Sequence, residues 1–191
     1  MQIMPKLGAE PIRKAALINA TIAEVGRMGS LDVTVAQIAR AAGMSPALAH
    51  HYFGSKDQMF LAAMRHILTT YAQSVRACLP GTGPRGRLDG IISASFAQAN
   101  FRREVISAWL NFYALALINE QAARLLRVYH RRLHSNLVVA LGDLTTRPDD
   151  IARTLGALID GVYLREVLMS GPTDAAGATD TINAYLDEVL A

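Results

Sequence analysis

The 191-residue chain has one cysteine, Cys78. A lone cysteine cannot close an intramolecular disulfide, which fits a reducing compartment such as the cytoplasm. Cys78 falls on an apolar helical stripe, the setting of a buried structural thiol rather than a nucleophile. Long apolar runs are missing as well. No segment approaches the roughly 18 uninterrupted apolar residues of a membrane-spanning helix, and the N-terminus lacks the charged-then-apolar layout of a signal peptide. No stretch alternates apolar and polar residues as a half-buried strand does. There is no glycine-rich phosphate loop, no nucleophile elbow and no histidine–cysteine metal set. Neither a cofactor nor a metal is therefore expected, and no nucleophile and base stand together as an enzyme would need.

Charge is also sparse. Asp, Glu, Lys and Arg make up 18% of the residues against 51% hydrophobic ones. A core is easily filled, and so little charge leaves apolar surface for a subunit contact to cover. The net charge is +3, and its excess lies at the front: six Lys or Arg face four Asp or Glu before Gln58, and thirteen face twelve after it. That balance suits a polyanionic partner without requiring one.

What is present is helical spacing throughout, and it predicts an all-α chain of nine helices. Pro11 is placed to open the first, whose stripe is Ile18, Ile22 and Val25 and whose stop is Gly29. Thr34 caps a second that holds Ile38 and Ala39 and ends at Gly43. Ser45 caps a third with Pro46 at its first position, where a missing N–H is harmless. Gly54 stops it, and Ser55 caps a fourth with Phe60, Met64, Ile67, Leu68, Tyr71 and Val75 on one face. The breaker run Leu79-Pro80-Gly81-Thr82-Gly83-Pro84-Arg85-Gly86 follows. Further helices are expected near 86–99, 102–118 and 120–143. Arg147-Pro148-Asp149 makes a turn, an eighth helix runs to about Met169, Ser170-Gly171-Pro172 breaks it, and a ninth covers 174–190. The layout divides into a head over 11–57, a linking helix over 55–79 and a body over 58–191.

The head carries the main signal. Two short helices joined at Gly43 must cross steeply, with small Ala39 at the crossing and the glycine in a left-handed turn. Ile38, Met44, Leu48 and Phe53 can bury against the first helix. Pro46, Ala47, His50 and Tyr52 then point outward on the second member of the pair. Such a pair is either an ordinary helical corner or a helix-turn-helix whose second member enters the major groove of DNA. Lys56 favours DNA: it lies in the first turn of the fourth helix, where the dipole disfavours a cation unless a phosphate is near. The candidate DNA-contacting set is Thr34, Gln37, Ser45, Pro46, Ala47, His50, Tyr52 and Lys56. In it Tyr52 and Lys56 take phosphates, and His50 and the Pro46-Ala47 edge face bases.

Ile38-Ala39, Gly43-Met44-Ser45, His51-Tyr52-Phe53 and Lys56 together resemble the TetR family of repressors, and the resemblance extends over the whole chain. It implies a homodimer with N-terminal heads on double-stranded operator DNA, and C-terminal helices that hold an inducer pocket and the dimer interface. Met4-Pro5-Lys6-Leu7-Gly8, Pro11-Ile12-Arg13, Met64-Arg65, Ala108-Trp109-Leu110-Asn111-Phe112, Arg131-Arg132-Leu133-His134-Ser135-Asn136-Leu137 and Leu158-Ile159-Asp160-Gly161-Val162-Tyr163-Leu164-Arg165 are similar to the choline-responsive branch of that family. That branch controls choline-to-glycine-betaine genes. The likeness starts at Met4, so Met1-Gln2-Ile3 reads as an upstream start. The run Ser45-Pro46-Ala47-Leu48-Ala49 departs from the branch's pattern and bears on operator sequence.

The ligand implied by this branch is a quaternary ammonium. It has no N–H to donate, so aromatic faces must hold it. Aromatics are only 6% of the chain, yet Trp109, Phe112 and Tyr113 fall within five residues. Trp109 and Tyr113 are four apart and share a helix face. Tyr163 and Phe96 are candidate further walls, and Asp160 or Glu104 a candidate counter-charge. Aromatics at this spacing also serve as plain core. A different inducer, such as a fatty acyl or aromatic compound, and a helical carrier or adaptor protein are the competing readings. His130 and His134 have metal-friendly spacing, but Arg127, Arg131 and Arg132 around them oppose a cation, so they read as a polar face. Arg102-Arg103 reads as a solvated helix start. Dimerisation is expected through helices eight and nine. There Gly156 and Gly161 allow close approach, and Leu155, Leu158, Ile159, Ile182, Leu186 and Val189 supply apolar area. A two-fold dimer then calls for a pseudo-palindromic operator.

Overall fold

A computed structural model describes residues 8–78, 83–169 and 171–191. Residues 1–7, with most of the Met4-to-Gly8 segment and both candidate starts, lie outside the described residues, as do residues 79–82 of the breaker run and Ser170. Among the described residues there are nine α-helices and no strand.

The head is built from local signals. Helix α1 (Ala9–Met28) ends at Gly29, whose φ of 67° is left-handed and whose N–H bonds the Val25 carbonyl. It begins two residues before Pro11, so the proline sits inside the first turn, where it costs no hydrogen bond. Helix α2 (Val35–Ala41) starts from a full capping box: Thr34 Oγ1 accepts from Gln37 N–H, and the Gln37 side chain accepts from Thr34 N–H. Gly43 turns the chain with φ 69°, and Met44 N–H then bonds Ala39 O at 2.8 Å. A residue with a Cβ would resist that conformation. Helix α3 (Pro46–Phe53) opens from Ser45, whose hydroxyl accepts from Leu48 N–H. Ala39 and Ala49 are both 0% exposed. The crossing of α2 and α3 therefore rests on two alanines, of which only Ala39 stood out from spacing. Helix α4 (Lys56–Cys78) is held at its start by Ser55 Oγ, which accepts from Gln58 N–H.

The body comprises α5 (Pro84–Phe96), α6 (Arg103–Ala116), α7 (Glu120–Leu141), α8 (Pro148–Leu168) and α9 (Ala175–Val189). Helix α5 opens at Pro84 and stops at Phe96, short of residue 99, because Ala97 turns extended and Asn100 Nδ2 donates to Ala94 O at 2.8 Å. The core is continuous from the head into the body. Helix α1 packs on both α4 and α6, so the head has two footings on the body. Cys78 is half-buried rather than buried, and lies over Gly90 of α5, where a Cβ would come within 2.8 Å of its own Cβ.

Three expectations need correction. Arg103 is more than a solvated helix start: its guanidinium donates to the Met169 and Val167 carbonyls at 2.9 and 3.1 Å. It satisfies the orphaned end of α8. Glu104 sits against Gly26 of α1, and the carboxylate that bonds the aromatic group is Asp160. Leu155, Ile159, Ile182 and Leu186 are buried inside the protomer and supply no area to a partner. The outward face of α8 instead carries Ala157, Leu164 and Leu168. A Cβ on Gly156 or Gly161 would meet nothing within 4 Å.

Candidate functional site

Two groups of residues stand out, one on the head and one in the body. On the head, Pro46, Ala47 and His50 are exposed together on α3. His50 Nδ1 lies 3.1 Å from Gly54 O, which steadies the ring against the end of its own helix. Tyr52 is half-buried and packs on the core, not fully outward as spacing suggested. Its ring lies under Lys14, with Nζ 5.8 Å from the centroid. Lys14 is also paired with Glu10 at 2.7 Å. This contact ties α1 to α3 and brings into the group a cation that spacing did not single out.

Lys56 is exposed, and its ammonium donates to Leu31 O at 2.9 Å. The α2-side loop therefore supplies one partner for a cation placed against the helix dipole, and two N–H donors of the ammonium remain. Thr34 and Gln37 are engaged with each other in the capping box, and Ser45 with Leu48. These three shape the turn that presents α3. The face they frame is small and partly apolar, with Lys14 over Tyr52 and Lys56 at the start of α4 beside it, charges suited to a phosphate backbone.

In the body, Trp109, Phe112 and Tyr113 of α6 meet as expected. The Trp109 ring centroid lies 5.8 Å from each of the other two. Phe112 is 0% exposed and Trp109 5%. The shortest ring distance to Trp109 is made by Tyr129 of α7, at 4.7 Å. Spacing passed over Tyr129, although it falls on the α7 stripe with Leu125, Leu133 and Leu137. Tyr71 of α4 meets Tyr129 edge-on at 5.9 Å. Phe96 and Tyr163 belong to a second ring group. Both pack on Phe101 at 5.1 Å, and Phe101 too was missed. Ser95 joins the two groups: its carbonyl accepts from Tyr163 Oη, and its hydroxyl lies 3.4 Å from Tyr71 Oη.

One carboxylate closes on the first group. Tyr113 Oη donates to Asp160 Oδ1 at 2.8 Å. Asp160 Oδ2 lies 3.6 Å from His130 Nε2, and the His130 ring stacks on Tyr113 at 26°. His134 faces Asp149 at 3.2 Å. Each histidine thus has a carboxylate of α8 opposite it, and no cluster of three or more metal-ligating side chains occurs among the described residues.

Burial pushes the hydroxyl pKa of Tyr113 far up, and the charge and hydrogen bond of Asp160 add to it. Burial also raises Tyr163, Tyr129 and Tyr71, with the Asp160 charge contributing at each. These hydroxyls stay neutral near pH 7. The site therefore offers aromatic faces, neutral donors and a carboxylate. That chemistry suits an organic cation, whose charge the ring faces and Asp160 can share.

The chain matches two family profiles: bacterial regulatory proteins of the TetR family over residues 17–63, and the C-terminal domain of BetI-type transcriptional repressors over residues 84–191. It is 50% identical over 186 residues to the HTH-type transcriptional regulator BetI of Brucella anthropi, covering 96% of each chain. Its fold is similar to a TetR transcription regulator from Haloarcula marismortui, with a TM-score of 0.82, 22% identity, and 93% and 98% of the two chains covered. It is also similar in fold to a regulator from Saccharomonospora viridis solved in complex with choline, with a TM-score of 0.77, 19% identity, and 91% and 95% covered. Among the described residues, no helix is long and apolar enough to cross a membrane.

Proposed function

The chain belongs to the TetR family of bacterial transcriptional regulators and carries a BetI-type repressor C-terminal domain, and we propose that it represses choline-to-glycine-betaine genes in response to choline or a related quaternary ammonium. It is a regulator and not an enzyme, as its relatives are. The observation that carries the ligand reading is the Tyr113–Asp160 hydrogen bond beside Trp109 and Tyr129. It sets a counter-charge next to aromatic faces, as a cation unable to donate hydrogen bonds requires. Trp109, Phe112 and Tyr113 form the near wall, Asp160 balances charge, and Phe96 and Tyr163 back the site through Ser95.

Residues 11–57 serve as the head, the helix over 55–79 as the link, and residues 58–191 as the ligand-binding and dimerising body. Pro46, Ala47 and His50 face bases, and Tyr52 and Lys56 face phosphates. Thr34, Gln37 and Ser45 hold the turn against the backbone. The dimer forms through α8 and α9, with Leu164, Leu168 and the open flank of Gly161 on the partner side, and it reads a pseudo-palindromic operator. A ligand changes operator affinity only by favouring one separation of the two heads over another. Calorimetry with choline, betaine aldehyde and glycine betaine tests the reading. Binding of at least one, with weakened operator affinity, is expected. No binding of any at millimolar concentration rejects the ligand and leaves the family standing.

A further inference from the structure

His50 and Gly54 are joined twice at the end of α3. Gly54 N–H bonds His50 O at 2.7 Å, and His50 Nδ1 lies 3.1 Å from Gly54 O. Gly54 closes the chain this way with a left-handed φ of 76°, a conformation that a side chain resists. A carbonyl oxygen only accepts, so Nδ1 carries the hydrogen of its bond to Gly54. The hydrogen bond made by one imidazole nitrogen sets the role of the other. In the uncharged ring Nε2 then has no hydrogen. It is left as an acceptor on an exposed side chain, on the side of the ring turned from Gly54.

This arrangement limits what His50 can read. Ala47 is three residues earlier and shares its helix face, with Pro46 beside it. Both are exposed and apolar, so neither side chain offers a donor in its place. Every base pair puts one amino group and one keto oxygen in the major groove, on opposite strands: N6 of adenine against O4 of thymine, and N4 of cytosine against O6 of guanine. An acceptor bonds the amino group and is repelled by the keto oxygen. We propose that His50 is a specificity-determining residue of α3, accepting a hydrogen bond through Nε2 from the exocyclic amino group of adenine or cytosine. It thereby reads which strand carries the amino base. The proposal rests on the reading that α3 faces bases, and adds to it a direction of hydrogen bonding and a class of base.

The test uses the full chain at pH 8, above the ordinary histidine range. An operator duplex is selected from a random pool, and the pair whose preference is lost in His50→Ala is taken as the contacted one. N6-methyladenine or N4-methylcytosine placed there keeps the base pair and blocks the amino hydrogen in the groove; which of the two applies tells adenine from cytosine. A 7-deazapurine in the same pair removes the N7 acceptor instead. The methylated duplex should bind the unmodified protein about three- to tenfold more weakly, the scale of one hydrogen bond. It should bind His50→Ala as the plain duplex does. His50→Arg, which can donate but not accept, should turn the preference toward guanine on the contacted strand and make binding sensitive to 7-deazaguanine. That variant keeps the test open if His50→Ala binds DNA too weakly to measure. Three results overturn the proposal and leave the helix-turn-helix reading standing: a loss on 7-deaza substitution but none on methylation, an equal loss on methylation in both proteins, or a selected operator in which no position depends on His50. A chain that selects no duplex at all overturns both.

Discussion

Gly26 of α1 lies so close to Glu104 of α6 that a Cβ on the glycine would overlap the Glu104 Cα and Cβ. Helix α6 carries Trp109, Phe112 and Tyr113, and α1 carries the weight of the head. The contact packs the helix proposed to hold the ligand directly on the first helix of the head, alongside the longer route through α4. Gly26→Ala should gain the roughly 1 kcal/mol of helix propensity that alanine has over glycine. It should lose more, because the obstructing atoms include backbone and overpacking costs about 1–3 kcal/mol. Net destabilisation is expected in urea unfolding. An unchanged or raised midpoint would show that α1 and α6 slide apart freely.

Lys56→Ala should weaken binding to all DNA sequences about equally and lower the slope of log affinity against log salt by about one. The tie to Leu31 O is exposed, so the variant should lose little stability. A changed sequence preference at constant slope would move Lys56 from phosphate contact to base reading.

Trp109→Leu keeps apolar bulk at a site 5% exposed and removes the aromatic face. It should cost roughly 1–2 kcal/mol in choline affinity and leave operator binding intact. Choline affinity unchanged in a folded variant would place the ammonium elsewhere.

Leu164→Glu and Leu168→Glu put charge on the outward face of α8, where the native side chains are 47% and 73% exposed. Sedimentation should show a shift from dimer to monomer with helix content retained. Leu155→Glu, at a position 0% exposed, should unfold the protomer instead. A persistent dimer in both surface variants would place the interface on another face.

Alkali should destabilise the body through its buried tyrosines. The folded pKa values of Tyr71, Tyr113, Tyr129 and Tyr163 are raised above the unfolded value of about 10. The folded state therefore holds these protons more tightly. Their contribution is fully present below pH 10 and is lost as pH climbs from there toward the folded values. Stability by urea unfolding should fall as pH rises above about 10. Tyr113→Phe should make that fall shallower while costing stability at pH 7, because Asp160 loses a donor. An identical pH profile in the variant would show that Tyr113 does not titrate on unfolding.

Much of this was legible residue by residue. Thr34, Ser45 and Ser55 cap, and Gly29, Gly43 and Gly54 turn, because a cap or a left-handed glycine acts on backbone groups within four residues of itself. The exposed trio Pro46, Ala47 and His50, and the meeting of Trp109, Phe112 and Tyr113, follow from helical spacing alone. Tyr52 was harder, since its half-buried state depends on where Lys14 of another helix lands.

Spacing ranks the faces of a helix but does not say what each face meets. Leu155 and Ile182 looked available to a partner and proved to be the protomer's own core, while Leu164 and Leu168 were left outside. Glu104 had the charge for the ligand site and stands instead against Gly26. Arg103 found the end of α8, 64 residues further on. Tyr129 and Phe101 joined ring groups that no local pattern assigned to them. Sequence by itself determined the all-α class, the capped and glycine-turned helix ends of the head and the head motif, because those depend on hydrogen bonds and side-chain periods closed within a few residues. Only the tertiary structure decided which carboxylate faces the aromatic rings, which leucines remain outside and which carbonyls Arg103 meets, because those depend on the crossing of helices far apart in the chain.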